Sequence, residues 1–201
     1  MKTLKLLFIV GSLTGMLTAC QESQDLITED NLTELNQQAK SSKLVEVPFK
    51  AKLFTSQAED ALTEMCSFNS PTDFWGLEHQ VGGGQGTHVG NFTVDLMFCI
   101  HIVLDDQGFP NLEGGFGEFT GGEVSSLVAA NGDELFFIHP GGDFSLSPNE
   151  GYTFLFEDIC IIAGGTGHFE NASGEFVWLG QTKVDGSGSD HTLDGTIILN
   201  K

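Results

Sequence analysis

From Leu44 onward apolar and polar residues alternate with a period of two. Val45, Val47, Phe49, Ala51 and Leu53 interleave with Glu46, Pro48, Lys50 and Lys52, the pattern of a half-buried strand. Pro48 has no amide to donate, which predicts an exposed or bulged spot there. The longest run lies within 87–104 and puts Phe92, Val94, Leu96, Phe98, Ile100, Ile102 and Leu104 on one face. Thr93, Asp95, Met97, Cys99, His101 and Val103 fall on the other. The same reasoning predicts strands at 76–82, 123–130, 133–139, 152–162, 174–181 and 191–199. Gln107-Gly108, Asn131-Gly132, Gly141-Gly142, Gly164-Gly165 and Gly186-Ser187-Gly188 separate them. Asn131-Gly132 between two apolar runs is the sharpest hairpin signal. After residue 65 there is no helical period of useful length; Gln57–Met65 is predicted as a short helix at most. Eight strands joined by turns suggest an antiparallel sandwich or a barrel. Closure protects so many edges more cleanly, so the expectation is an all-β, eight-stranded antiparallel up-and-down β-barrel. Such a barrel is filled by side chains or holds one small ligand.

The first 43 residues follow other rules. Met1–Cys20 has two Lys near its start, an apolar stretch of twelve residues from Leu6 to Leu17, then Leu17-Thr18-Ala19-Cys20. Twelve apolar residues fall short of the roughly 20 that cross a bilayer as a helix. They fit the hydrophobic region of a secretory signal. Residues 21–43 are rich in Gln, Glu, Ser, Thr and Asn, and bury too little to offset their ordering entropy. Glycine marks the boundary: of 26 Gly, none lies between Leu17 and Trp75 and 24 follow Trp75. The expected organisation is a signal peptide at 1–19, a flexible tether at 20–43 and a barrel domain at 44–201.

Charge narrows the partners. Asp+Glu number 28 against eight Lys and no Arg, a net charge of −20. A chain beginning at Cys20 carries six Lys against 28 acids, −22. That surface repels phosphate and has no guanidinium to read it, which argues against nucleic-acid binding.

The Leu-Thr-Ala-Cys ending resembles the lipobox of bacterial lipoproteins. The resemblance implies cleavage before Cys20, lipidation of its sulfur and an anchor in the cell envelope. The absence of Asp directly after Cys20 points to the outer membrane, with the periplasmic and surface faces both open. Three stretches of the domain resemble another family: Gly86-Thr87-His88-Val89-Gly90-Asn91-Phe92-Thr93, Ala129-Ala130-Asn131-Gly132-Asp133-Glu134-Leu135, and Gly164-Gly165-Thr166-Gly167-His168-Phe169-Glu170-Asn171-Ala172-Ser173-Gly174. In this order they resemble bacterial proteins similar to the allene oxide cyclase barrel, a calycin-like fold. The resemblance implies structural roles for His88, Gly90, Asn131, Gly132, Asp133, Gly164, Gly165, Gly167, Phe169 and Gly174. No catalytic position of the plant cyclase matches this chain. By themselves the glycines at 164, 165 and 167 permit positive φ or close strand approach, with Phe169 and Ala172 folding back as a plug over one barrel end.

Candidate chemistry is sparse. Asp95, Cys99 and His101 share one strand face, as a Cys/His nucleophile or zinc ligands would, but two-residue spacing along a strand is loose, at ~7 Å. An outward polar face explains them as well. Asp185-Gly186-Ser187-Gly188-Ser189-Asp190 carries oxygen ligands at odd positions but lacks the terminal Glu of an EF-hand, and reads as a turn. No metal and no cofactor is expected. Of the cysteines beyond Cys20, consecutive elements tend to be neighbours, which predicts a disulfide between Cys66 and Cys99 and leaves Cys160 free. Seventeen of 20 aromatics are Phe, so the lumen is expected to be dry and greasy. The functional expectation is a membrane-anchored, non-catalytic barrel binding a small apolar ligand. The alternative is an isomerase- or cyclase-like enzyme on an apolar substrate. Convergence of titratable groups inside the barrel divides the two.

Overall fold

Alternation decides the architecture. In β4 (Gly90–Val103) Phe92, Val94 and Leu96 are buried while Thr93, Asp95 and Met97 face outward. The computed structural model describes residues 43–200 apart from 62–63, 110, 112–115 and 122–123. The expected signal peptide, Cys20 and nearly all of the tether lie outside the described residues. The other strands are β1 (Leu44–Gln57), β2 (Met65–Ser70), β3 (Asp73–Gly86), β5 (Phe116–Thr120), β6 (Ser125–Ala129), β7 (Glu134–Ile138), β8 (Gly141–Leu146), β9 (Tyr152–Gly165), β10 (Ser173–Lys183) and β11 (Ser189–Asn200).

Eight of them close on themselves. β1 pairs with β3, β3 with β4, β4 with β6, β6 with β7, β7 with β9, β9 with β10, β10 with β11 and β11 with β1, every contact antiparallel. The order round the ring is the order along the chain, an up-and-down β-barrel. These eight are the strands that alternation predicts.

Three short strands depart from the expectation. β5 and β8 pair with each other and join β4 to β9 at one end of the ring, where β6 and β7 do so at the other. The sector of the wall between β4 and β9 is thus built from two antiparallel strand pairs, one at each end of the ring. Gly141-Gly142, expected as a turn, opens β8 instead. Gly141 lies at φ +98, and a side chain on it would run into the Phe119 carbonyl of β5, so glycine lets the two strands touch. β2 flanks β3 opposite β4. The helix expected over Gln57–Met65 is replaced: β1 runs through Gln57, β2 starts at Met65, and the described residues between them form a turn. Pro48 lies where β1 pairs with β11 and not with β3, so its missing donor leaves no ladder bond unmade on that side.

The two ends of the ring differ. At one, Phe49, Phe137, Phe176, Leu127, Leu135 and Ile197 fill the lumen, with Phe49–Phe176 and Phe137–Phe176 ring centroids 5.3 and 5.6 Å apart. A single 3-10 turn, Gly167–Phe169, lies over this core and inserts Phe169, which is 1% exposed. The Asn131-Gly132 hairpin packs beside the turn. Gly132 has φ +87 while Asn131 stays at negative φ, and Ala129 N–H donates to the Asp133 carbonyl (2.8 Å). This is a three-residue loop with a bulge and not the two-residue turn. The Asp133 carboxylate accepts from the His168 amide (3.0 Å) and the Asn131 side chain (3.0 Å), which holds it below the usual carboxylate range. Hairpin and plug are thereby tied together.

On the outer wall a disulfide joins Cys66 to Cys99, linking β2 to β4 across β3. Thiol titration of the denatured, unreduced protein should find one reactive thiol, Cys160, among Cys66, Cys99 and Cys160; three reacting would rule the bridge out. Phe169→Ala leaves a hole under the plug and should lower stability in urea unfolding by about 3–5 kcal/mol.

Candidate functional site

The core stops at mid-height. Beyond Phe137 and Trp178 the ring encloses a cavity of about 300 Å³ that opens at the β5–β8 end. Its walls are largely aromatic: Phe98, Phe119, Phe144, Phe154 and Phe156 line it with Leu96 and Ile100. Phe119 stands edge-on to Phe98 and to Phe156, each 6.1 Å between centroids. The greasy character expected of the lumen holds for these walls.

The expected scarcity of polar groups does not hold. Glu78, His139, Asp158 and His191 all line the cavity and all are buried. Asp158, His139 and His191 occupy inward positions among mostly apolar or small residues, and Glu78 shares its face of β3 with Gln80 and glycines. On β9 the inward series runs Phe154, Phe156, Asp158, Cys160, Ile162, while Ile159 and Ile161 face solvent. On β11 His191 precedes Leu193. His139 follows Leu135 and Phe137, just past the end of β7, where the wall passes to β8.

Two of the four belong to a directional network. Trp178 Nε1 can only donate, so His191 Nδ1 accepts from it (2.9 Å). The imidazole proton is then on Nε2, which donates to Thr55 Oγ1 (2.8 Å). Thr55 donates onward to Gln80 Oε1 (2.7 Å), and Gln80 Nε2 to Glu78 Oε1 (3.1 Å). Gln57 Nε2 completes the set at 3.0 and 3.1 Å from the two Glu78 oxygens. Burial pushes the His191 imidazole down to about 4, so the ring is neutral at pH 7, as the donor from Trp178 requires.

The other two are open. Asp158 Oδ2 accepts from the Gly141 amide (3.3 Å), and His139 Nδ1 lies 3.7 Å from the same oxygen, beyond hydrogen-bond reach. Asp158 Oδ1 and His139 Nε2 are buried without a protein partner. Burial raises the Asp158 carboxyl and lowers the His139 imidazole. Beside them Cys160 is fully buried; burial, then the Asp158 charge, pushes its thiol far up, so it is no nucleophile.

The residues singled out from the sequence go elsewhere. Asp95, Cys99 and His101 lie on the outer face of β4: Cys99 is in the disulfide, Asp95 bonds His79 Nε2 (2.8 Å), and His101 bonds Asp73 (2.8 Å) and stacks on Trp75 at 4.7 Å. Asp185 accepts from the Ser187 amide (2.9 Å) in the turn from β10 to β11, and Asp190 from the Tyr152 hydroxyl (2.8 Å). The motif residues gather at the closed end. His88, Gly90, Asn131, Asp133 and Phe169 line a shallow depression there, Gly132 and Gly167 shape hairpin and plug, and Gly164, Gly165 and Gly174 flank the plug where β9 ends and β10 begins. One signal in the sequence identifies the site: a polar residue sharing parity with buried neighbours on both sides, as Asp158 does with Phe156 and Cys160.

No protein-family model matches the chain, and no curated protein matches it. Among solved structures the chain is similar to a pterocarpan synthase dirigent protein, at 10% identity, over 81% of this chain and 88% of that one, with a TM-score of 0.41. A likeness of that degree carries no argument about this chain's activity.

His191 is neutral in the folded barrel and titrates near 6.5 once unfolded. The unfolded chain therefore binds more protons between those values, so stability is full above pH 6.5 and falls as pH drops toward 4. The loss from this one group approaches about 3 kcal/mol. Urea unfolding across pH 4–7 should show the slope, and His191→Asn should flatten it.

Proposed function

We propose that the protein is an exported lipoprotein, held at the bacterial outer membrane through Cys20, whose barrel takes one small, mostly apolar molecule into the cavity at its open end. The observation that carries the binding part is the cavity itself: about 300 Å³ walled by phenylalanine, at the lower end of the range for small-molecule sites. Walls of this kind select by shape and apolar area, each buried CH₂ contributing about 0.8 kcal/mol. The lipobox-like Leu17-Thr18-Ala19-Cys20 supports the anchor, and residues 21–43 would serve as the tether. The three motifs that resemble the allene oxide cyclase barrel support a relation to that calycin-like group at the level of architecture.

Binding without turnover is favoured over catalysis by what the inward polar groups already do. His191 and Glu78 are occupied by Trp178, Thr55, Gln57 and Gln80. The second reading, an isomerase-like enzyme, rests on His139 and Asp158, whose free atoms could pass a proton to and from a bound substrate.

Two experiments test the proposal. Cys20→Ser should move the protein from the membrane to the soluble fraction; unchanged membrane attachment would overturn the anchor. Titration of the purified full chain with a neutral apolar fluorophore, N-phenyl-1-naphthylamine, should give saturable one-site binding that Phe156→Asp weakens at least about tenfold, from the lost apolar area and the added charge. No saturable binding would sink the ligand reading.

A further inference from the structure

Resting on the reading of the cavity as a ligand site, we propose that its ligand is a cation: a primary or secondary ammonium on a compact apolar body, with its N–H groups on Asp158 and His139. Two buried carboxylates, Glu78 and Asp158, line the cavity, and its lining contains neither Lys nor Arg. Lys183, at the end of β10, is engaged by Asp190 (3.4 Å) and the Phe54 ring (4.9 Å). A buried charge without a counter-charge is costly, and a ligand that brings the opposite charge removes that cost.

Hydrogen-bond polarity points the same way. Asp158 is 7% exposed, and its Oδ1 is an acceptor with no donor. His139, equally buried, is neutral, and the carboxylate facing its Nδ1 favours the proton there. Nε2 of this cavity-lining residue then carries a lone pair, also without a donor. Two vacant acceptors side by side suit a ligand with at least two donors, and a positive charge on that ligand would favour the ionised form of Asp158. A hydroxyl has one donor and no charge, and a carboxylate has no donor and a charge of the wrong sign. The walls suit the same ligand, since ring faces attract a cation and Phe98 already stands edge-on to His139 at 6.3 Å. Outside, a surface of net charge −20 draws cations toward the mouth.

The probe pair is 2-phenylethylammonium and its neutral isostere n-propylbenzene, each displacing N-phenyl-1-naphthylamine from the full chain at pH 7. The ammonium should bind about tenfold tighter or more, the scale of a hydrogen bond to a charged group. Asp158→Asn should bring the two probes within about threefold of each other. Should that variant fail to fold, Glu78→Gln takes its place and should cut the preference several-fold by removing the second acidic group from the cavity lining. If propylbenzene binds as tightly as the ammonium, or the preference survives these substitutions, the cation inference is overturned while the apolar-ligand reading stands. If neither probe nor fluorophore binds, both fall.

Discussion

A strand that runs the height of a closed ring must turn every second side chain inward, whatever that side chain is. The barrel depends on this constraint more than on any single contact. With eight strands closed into a ring, no strand can slip by one residue without exposing its Phe and Leu row and burying its charges. Asp158 is therefore held inside by Phe156 and Cys160 on either side of it, at a position it would not choose on solvation grounds. Ile159 and Ile161 are held outside by the same register. The polar lining of the cavity follows from the apolar packing of the wall.

The same constraint explains how much could be read from the sequence. The eight ring strands were legible because each carries a row of alternating apolar residues. β2 was not, since nearly all its residues are exposed and no period develops. β5 and β8 were not, since five or six residues interrupted by glycine read as turns. The cavity's polar groups escaped attention for a different reason. A sequence displays clusters along the chain, such as Asp95, Cys99 and His101, whereas closure brings together Glu78, His139, Asp158 and His191 from four separate segments. Phe marks the inward parity in β9 and β10 but not in β7, where Phe136 and Phe137 are adjacent, nor in β6 and β11, which have none. How the strands meet across the lumen is marked in none of them.

The molecule divides its work between its ends. The glycines, Asn131, Asp133 and Phe169 seal one, and their hydrogen bonds are all internal to the seal. At the other end the composite wall of β5 and β8 supplies Phe119 and Phe144 to the cavity. Short strands joined through loops can change there without disturbing the sealed core.

The row from Trp178 to Glu78 has a polarity of its own. Its first member can only give a proton and its last can only accept, so each dipole between them points the same way. Such a row cannot be turned round piece by piece. With the indole removed, as in Trp178→Phe, His191 would be free to place its proton on either nitrogen. Thr55 would then be free to rotate, and the Gln80 amide to flip away from Glu78. A residue in the packed core thus biases, together with Gln57, the orientation of a buried carboxylate through three intermediaries, and the barrel carries a one-way alignment along its lining.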